Sequence, residues 1–291
     1  MQSLVRELKR VVRGIIRRRH RTKILPRASV VFMSPQKCGR TWVRAMISHC
    51  YHLTYGTSAQ ELIAYDNFHK VDGRIPIVFF THIGDEPPAI LRRLNPTALT
   101  GQTVIALIRD PRDAAVSRYY QEQYRVRHET TNSADGAEPN EIALYDFLLL
   151  HPFGLQYYIS LIKLLQNIGE AHSSFHIFTY EQVKNDPGAA LALLMLAMGT
   201  ELPVATIDAA VAFASFDNLK RREAEGYFTS SKLRPGNPDD PNSFKVRKGK
   251  VGGYREHFSA AELVIIDALV AAADLGAFGY TGGDATQESR G

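Results

Sequence analysis

The sequence predicts a single α/β domain with a central parallel β-sheet flanked by helices. Its 291 residues, of which 45% are hydrophobic, suit one large core and are few for two ordinary domains. Short apolar runs rich in β-forming residues alternate with helical stretches, a pattern typical of parallel sheets covered on both faces. The domain is expected to cover residues 28–280, between a basic amphipathic arm (1–27) and a flexible tail (281–291).

Four runs are predicted to be strands, because each is too short to be a buried helix. They are residues 29–33, 75–81, 103–108 and 175–179. Helices are predicted at residues 40–52, 111–126, 141–149, 154–168, 188–198 and 259–272. Residues 128–140 are polar and residues 226–253 are rich in Gly, Pro and charged residues, so both stretches are predicted to be loops. Loops of that length in a compact domain are typically functional or disordered.

The positive charge is concentrated in the N-terminal arm. Residues 1–27 carry ten Lys or Arg and one acidic residue, a net charge of +9, whereas the remainder carries 25 basic and 29 acidic residues, a net charge of −4. The apolar residues of the arm, spaced as on one helical face, are Leu4, Val5, Leu8, Val11, Val12, Ile15 and Ile16. Such a helix either packs on the domain or lies on an anionic membrane surface, and both alternatives are open. No nucleic-acid partner is expected.

The composition predicts a cytoplasmic protein. Cys38 and Cys50 are the only cysteines, which fits a reducing compartment and is too few for a four-ligand zinc site. No uninterrupted apolar region follows the basic start, as a secretory signal peptide would require. The longest apolar stretch, Ala189–Met198, is about half as long as a membrane span and is predicted to be a buried helix. If the arm binds lipid, the protein is peripheral at the inner membrane face.

The first candidate site is a strand, turn and helix start that reads SPQKCGRTW from position 34. Backbone N–H groups at a helix N-terminus bind anions, and Lys37 adds a positive charge. The triphosphate loop G-x-x-x-x-G-K-[ST] would need a lysine where Arg40 stands, and Lys37 lies three positions earlier. The segment therefore indicates an anion site that differs from an ordinary ATPase or GTPase loop. Trp42, the only tryptophan, follows the loop and could stack on a base.

The second candidate site joins the third predicted strand to the next helix and reads IRDPRDAAVSRYY from position 108. Asp110 suits a helix N-cap and Pro111 the first helical position. Arg109 is then placed at the carboxyl end of the strand, where α/β proteins bind ligands, and Ser117 lies two turns into the helix. Arginine grips phosphate with two N–H groups, and a serine hydroxyl can add a hydrogen bond. From these residues alone, an ordinary capped helix remains the alternative.

The two segments resemble the phosphate-binding motifs of sulfotransferases that use 3′-phosphoadenosine-5′-phosphosulfate (PAPS), in a bacterial-looking form. KCGRTW is similar to the family's 5′-phosphosulfate loop P-K-[SA]-G-[TR]-T-W, with Cys38 in place of Ser or Ala. Arg109 and Ser117 match its 3′-phosphate motif. A late basic loop, RKGKVGGY from position 247, is similar to the R-K-G-x-x-G segment that closes over that phosphate. The resemblance covers about residues 29–258 and implies a P-loop NTPase-like sulfotransferase fold.

The resemblance implies PAPS as co-substrate and 3′,5′-ADP (PAP) as product. No metal is expected, because no acidic residue is placed to hold one at the loop. Two weaker matches add to the resemblance, since Tyr180 resembles the family's adenine-contacting tyrosine, and Ser215 and Phe216 resemble a pair that contacts the nucleotide. The nucleotide-binding residues that it implies are Lys37, Cys38, Gly39, Arg40, Thr41, Trp42, Arg109, Ser117, Tyr180, Ser215, Phe216, Arg247, Lys248 and Gly249.

The catalytic residues that the resemblance implies are Lys37, His82 and Ser117. Sulfuryl transfer, like phosphoryl transfer, relies mainly on alignment and charge neutralisation, for which Lys37 and the loop amides are expected to serve. His82 follows the second predicted strand and matches the family's Thr-His position, and histidine is the residue type whose ordinary pKa suits a general base near neutral pH. The acceptor is expected to carry a hydroxyl, and the bacterial likeness favours a carbohydrate or glycoconjugate.

Two other functions are weighed against this one. An ATP-dependent kinase is disfavoured by Arg40 at the position of the kinase lysine and by the arginine–serine clamp. A non-enzymatic anion-binding adaptor is disfavoured because the base, the lysine and the clamp are all intact.

Overall fold

The structure is a computed structural model that describes residues 22–84, 97–123, 142–230, 233 and 249–282. Most of the basic arm and of the tail lie outside these residues, and so do Arg247 and Lys248. The loop predicted at 128–140 and most of the loop predicted at 226–253 also lie outside them.

In the described part of the chain, four strands form one parallel sheet in the order β2-β1-β3-β4. The strands are β1 (Val30–Ser34), β2 (Val78–His82), β3 (Thr103–Ile108) and β4 (Phe175–Thr179). β1 pairs with β2 on one side and with β3 on the other, and β4 extends the sheet from β3. The α/β class and the parallel sheet predicted from the sequence are therefore confirmed.

One predicted strand is too long. Residues 75–77 precede β2 and are not part of it. Ile75 and Ile77 are buried, so their apolar character reflects core packing and not strand pairing. The carbonyl of Ile77 accepts hydrogen bonds from the N–H groups of Ser29 and Val30, which bring the chain to the start of β1.

Nine helices of six or more residues surround the sheet in the described residues. They are α1 (Arg40–Tyr55), α2 (Pro111–Gln121), α3 (Leu144–Leu150), α4 (Leu155–Glu170), α5 (Tyr180–Asn185), α6 (Pro187–Ala197), α7 (Val204–Phe213), α8 (Phe216–Ala224) and α9 (Ala260–Ala271). The sequence pattern predicts six of these helices and misses α5, α7 and α8. Of the helix predicted at 111–126, residues 111–121 form α2 and residues 122–123 continue it as a π-helical turn, while residues 124–126 lie outside the described residues.

The sheet separates two hydrophobic cores. Along β1, Val31 and Met33 face one core, while Val30 and Phe32 face the other, as the alternation of a strand requires. Helices α2, α3, α4 and α9 cover the first face, and α1, α6 and α7 cover the second. β1, β2 and β3 therefore bury both of their faces, which explains why they are continuous apolar runs, whereas β4 is only partly buried and exposes His176.

The strand order places a crevice between the carboxyl ends of β1 and β3. The chain leaves β1 towards β2 and leaves β3 towards β4, in opposite directions, and α/β sheets bind ligands at such a switch point. The two segments that begin there contain Lys37 and Arg109, so the fold brings the two candidate phosphate sites to one place.

The apolar run Ala189–Met198 is helical, but the prediction that it is buried is wrong for its outer face. Helix α6 buries Leu191 and Leu194, whereas Leu193 and Leu196 are 60% and 59% exposed. No single described helix has both the length and the apolar composition to cross a membrane. Helices α3 and α4, which are bent by 43° at their junction, have the required length and apolar composition only when they are counted together.

Candidate active site

A cleft opens where β1, β2 and β3 end, and the structure brings most of the predicted site residues to its wall. Those that line it are Lys37, Gly39, Arg40, Thr41, Trp42, His82, Arg109, Ser117, Tyr180, Phe216 and Gly249. The described lining does not include Cys38, which is buried, or Ser215, which is exposed at the start of α8. Arg247 and Lys248 lie outside the described residues.

The loop after β1 has a backbone suited to an anion. Lys37 and Gly39 both have positive φ angles, 67° and 82°, and α1 begins at the next residue, Arg40. Turns of this kind point successive N–H groups into a concave site at a helix N-terminus. A positive φ at a lysine is strained, and such strain is concentrated at functional sites. The loop therefore has the geometry that its sequence predicts.

Gly39 also allows an aromatic ring to pack directly on the loop. A Cβ atom at this position would lie 2.6 Å from Cδ2 and 2.9 Å from Cε2 of Tyr180, closer than carbon atoms approach each other. Because glycine has no Cβ, the ring of Tyr180 forms one side of the loop. The glycine is thus required both by its φ angle and by this close approach.

The two side chains before Gly39 have different environments. Lys37 Nζ donates a hydrogen bond of 2.6 Å to Gln121 Oε1 at the end of α2, which holds the ammonium group at the cleft. The Cys38 thiol is 1% exposed and donates to the Gln36 carbonyl at 3.6 Å. Burial raises the pKa of the Cys38 thiol far above its ordinary value, so this group stays protonated. Cys38 can therefore serve the site with its backbone but not as a thiolate.

Arg109 lies at the centre of the cleft wall and contacts three segments of the chain. Nη1 donates to the Lys37 carbonyl at 3.4 Å and Nη2 donates to the Lys250 carbonyl at 2.9 Å. The guanidinium also packs over the ring of Tyr180, 4.4 Å from its centroid. Burial lowers the pKa of Arg109, but Asp113 and its other neighbours raise it to a net value above the ordinary one, so the side chain keeps its charge. Its Nε is buried with no hydrogen-bond partner among the described residues.

Aromatic side chains form the next part of the cleft. Trp42 Nε1 donates to the Ala214 carbonyl at 2.8 Å, and its ring meets that of Tyr180 edge to face with centroids 5.8 Å apart. Phe216 lies against Gly249, where a Cβ atom would approach its ring to 3.2 Å. Aromatic rings that line a cleft beside phosphate-binding groups can stack on a base. That these residues bind a base stays a prediction.

His82 is the last residue of β2, and its backbone is in register with Ser34 of β1. It therefore reaches the cleft beside the loop that contains Lys37. A second histidine, His257, lines the same cleft, and its Nδ1 lies 3.3 Å from the hydroxyl of Tyr120. Two imidazoles thus line the cleft, and the sequence predicts a role only for the first.

Other lining residues were also missed by the sequence analysis. They are Asp113, Val116, Lys184, Leu219, Leu233, Lys250, Gly253, Tyr254 and His257. For Asp113 the sequence did contain a local indication, because Asp113 follows Arg109 by four positions, the spacing at which side chains meet on a helix. The structure reveals no group of three or more His, Cys, Asp or Glu side chains able to hold a metal ion within the described residues.

Sequence comparisons relate the chain to known proteins. The family model for the sulfotransferase domain matches residues 27–275. The chain is 25% identical over 252 residues to sulfotransferase 1A1 of Bos taurus, an alignment that covers 80% of this chain and 78% of that protein. It is 26% identical over 191 residues to sulfotransferase 1A1 of Canis lupus familiaris, covering 62% of this chain and 60% of that protein.

Solved structures share the fold. Mouse sulfotransferase SULT7A1 complexed with PAP is similar with a TM-score of 0.53 and 17% identity, and the match covers 84% of this chain and 82% of that one. Retinol dehydratase in a complex with retinol and PAP gives a TM-score of 0.60 and 15% identity, with 85% and 81% covered. Since the family model spans most of the sequence, the chain belongs to the sulfotransferase domain family.

Proposed function

We propose that the protein transfers the sulfuryl group of PAPS to a hydroxyl group of an acceptor. The observation that carries the proposal is Arg109, a buried cation in the cleft whose Nε has no hydrogen-bond partner among the described residues. Leaving a buried donor unpaired is costly, and a phosphate oxygen would pair with it. PAP in the two related structures supports this nucleotide, because PAP carries the 3′-phosphate that ATP lacks.

The residues of the cleft fall into two groups that bind phosphate, a set of aromatic side chains and a general base, His82. The loop around Lys37 binds the 5′-phosphosulfate, and Arg109 with Ser117 binds the 3′-phosphate. The described residues Trp42, Tyr180 and Phe216 bound the space for the adenine. Arg247 and Lys248 are proposed to add to the 3′-phosphate site on the basis of the motif alone.

The chemistry is an in-line displacement at sulfur. The acceptor oxygen forms a bond to sulfur while the bond between sulfur and the oxygen of the 5′-phosphate breaks, and PAP leaves. His82 accepts the proton that the acceptor hydroxyl loses. Lys37 and the loop N–H groups neutralise the charge that develops on the leaving oxygen. Ser117 lies on α2 in the same cleft and orients the nucleotide.

The direct test is transfer of ³⁵S from labelled PAPS to a panel of acceptors. The likeness to bacterial family members supports a carbohydrate or glycoconjugate acceptor, so the panel should pair sugars with small phenols. Label in the sugars supports both parts of the proposal, and label in phenols alone overturns the acceptor class. Tight PAP binding with no transfer to any acceptor favours the non-enzymatic alternative.

The proposed reaction uses no metal, because the loop and clamp supply the positive charge. The proposal predicts full transfer activity in excess chelator, and a loss of activity restored by Mg²⁺ would contradict it. We also propose a cytoplasmic location, peripheral if residues 1–27 bind lipid. Co-sedimentation with anionic liposomes, with and without those residues, tests the membrane contact, and equal binding of both forms would rule it out.

A further inference from the structure

Asp113 joins two parts of the chain that are far apart in sequence. Its side chain is 3% exposed, and it lies in the first turn of α2, four positions after Arg109, which precedes the helix. Its Oδ2 accepts a hydrogen bond from the N–H of Gly252, and its Oδ1 accepts one from the N–H of Tyr254, both at 2.9 Å. Arg109 Nη2 lies 3.4 Å from the same carboxylate. These three partners compensate the charge of a carboxylate that would otherwise be costly to bury.

The segment that Asp113 holds, residues 249–254, is named the C-terminal strap. The first two residues of the strap contact the wall of the cleft. Arg109 Nη2 donates to the Lys250 carbonyl at 2.9 Å, and the Tyr180 hydroxyl donates to the Gly249 carbonyl at 3.2 Å. At the far end of the strap, Tyr254 is buried and donates its hydroxyl to Asp267 Oδ1 at 3.1 Å. The strap is thus tied to the core, to Arg109 and to Asp113.

The Asp113 carboxylate therefore contacts both Arg109 and the C-terminal strap. It pairs with the guanidinium of Arg109, and it anchors the strap on which Arg109 also makes a hydrogen bond. A change at Asp113 alters the position of Arg109 relative to the strap even if both elements stay folded. Because the carboxylate is negative, it would repel a phosphate and so acts through its partners.

We propose that Asp113 is a positioning residue that sets recognition of the 3′-phosphate by holding Arg109 and the C-terminal strap in one arrangement. This inference rests on the proposed function, because it needs a nucleotide with a 3′-phosphate in the cleft. In this proposal, Asp113 is the reason that Arg109 and the C-terminal strap act on the same phosphate.

The test compares PAP with 5′-AMP, which lacks the 3′-phosphate, by calorimetric titration of the wild type and Asp113→Asn. Asparagine keeps the shape but removes the charge and leaves one acceptor oxygen for two N–H groups. The affinity for PAP should fall about 10–100-fold, and that for 5′-AMP should change less than about threefold. A variant that keeps the wild-type ratio of PAP to 5′-AMP affinity would overturn the positioning role.

Asp110→Asn is the matched control. Asp110 is also a buried carboxylate on the same helix end, but its side chain caps α2 and pairs with Arg112 at 2.7 Å. Its loss should lower the melting temperature and leave the affinity ratio unchanged. A wild type that binds PAP no better than 5′-AMP would overturn the proposed function, and this inference with it, before any variant is compared.

A measurement on the wild type alone covers the case in which Asp113→Asn does not fold. Hydrogen exchange of the Gly252 and Tyr254 amides should slow on saturation with PAP more than on saturation with 5′-AMP. The reason is that a bound 3′-phosphate holds Arg109, and through it the strap, in place. Equal protection by the two nucleotides would contradict the coupling between the phosphate and the strap.

Discussion

Replacing Gly39 with alanine perturbs the phosphate loop at one atom. The new Cβ would lie 2.6 Å from Tyr180 Cδ2, so the ring must move by about 1 Å to reach ordinary contact. That movement would change the packing of the ring against Arg109, whose guanidinium lies 4.4 Å from its centroid. The substitution thus affects the loop, the proposed adenine side of the cleft and the proposed 3′-phosphate site together.

The loss of stability expected in Gly39→Ala has two parts. An L-residue at the left-handed φ of 82° costs about 1–2 kcal/mol, and overpacking against the ring adds about 1–3 kcal/mol. The free energy of unfolding should therefore fall by about 2–5 kcal/mol, which leaves a domain of ordinary stability folded. The affinity for PAP should fall by at least about tenfold, because the ring and the arginine are displaced.

Gly56→Ala separates the cost of the backbone conformation from the cost of overpacking. Gly56 ends the same helix with a φ of 67°, but a Cβ atom there would meet nothing within 4 Å. This variant should lose only the backbone part, about 1–2 kcal/mol, and should bind PAP as the wild type does. Urea unfolding and calorimetric titration of the two variants give both quantities.

Equal losses of stability in the two variants, together with unchanged PAP affinity in Gly39→Ala, would contradict this prediction. That result would mean that Tyr180 yields to the methyl group without cost. The close contact between the loop and the ring would then have no part in nucleotide binding.

Three further predictions concern the base, the lysine and pH. His82→Ala should lower kcat by about 10²–10⁴-fold with PAP affinity nearly unchanged, and near-normal turnover would remove His82 as the base. Lys37→Ala should lower kcat at saturating PAPS by at least about 100-fold through lost charge stabilisation, and a loss under about tenfold would exclude that role. Burial, with His52 and Arg222 nearby, lowers the pKa of His49 from 6.5 to about 4. The unfolded state then takes up the proton first, so the free energy of unfolding should decline as pH falls from 6.5 to about 4. His49→Gln should flatten that decline in urea unfolding, and an unchanged profile would show that other groups cause it.

The sheet could be predicted from the sequence because its strands are short apolar runs separated by helices. Strands β3 and β4 have the predicted bounds. Helix α5 was missed because it begins directly at the end of β4, with no polar break. A local signal was nevertheless present, since Thr179 and Gln182 form a capping box in the structure.

The phosphate loop and Arg109 could be predicted because each follows a strand within a few residues. The hydrogen bonds between Asp113 and the C-terminal strap could not, because they join residues 139 and 141 positions apart. Local patterns do not encode such contacts, and only the fold brings the partners together. His257 was missed for the same reason, since its position beside Tyr120 depends on how the strap returns to α2.

We propose that the cleft binds a nucleotide with a 3′-phosphate. The most direct measurement is a thermal-shift titration of the wild type with PAP and, separately, with ATP and Mg²⁺. A rise in melting temperature with PAP alone is predicted, because a ligand that binds the folded state stabilises it. A rise with ATP and Mg²⁺ and none with PAP would contradict the clamp at Arg109 and would favour a kinase.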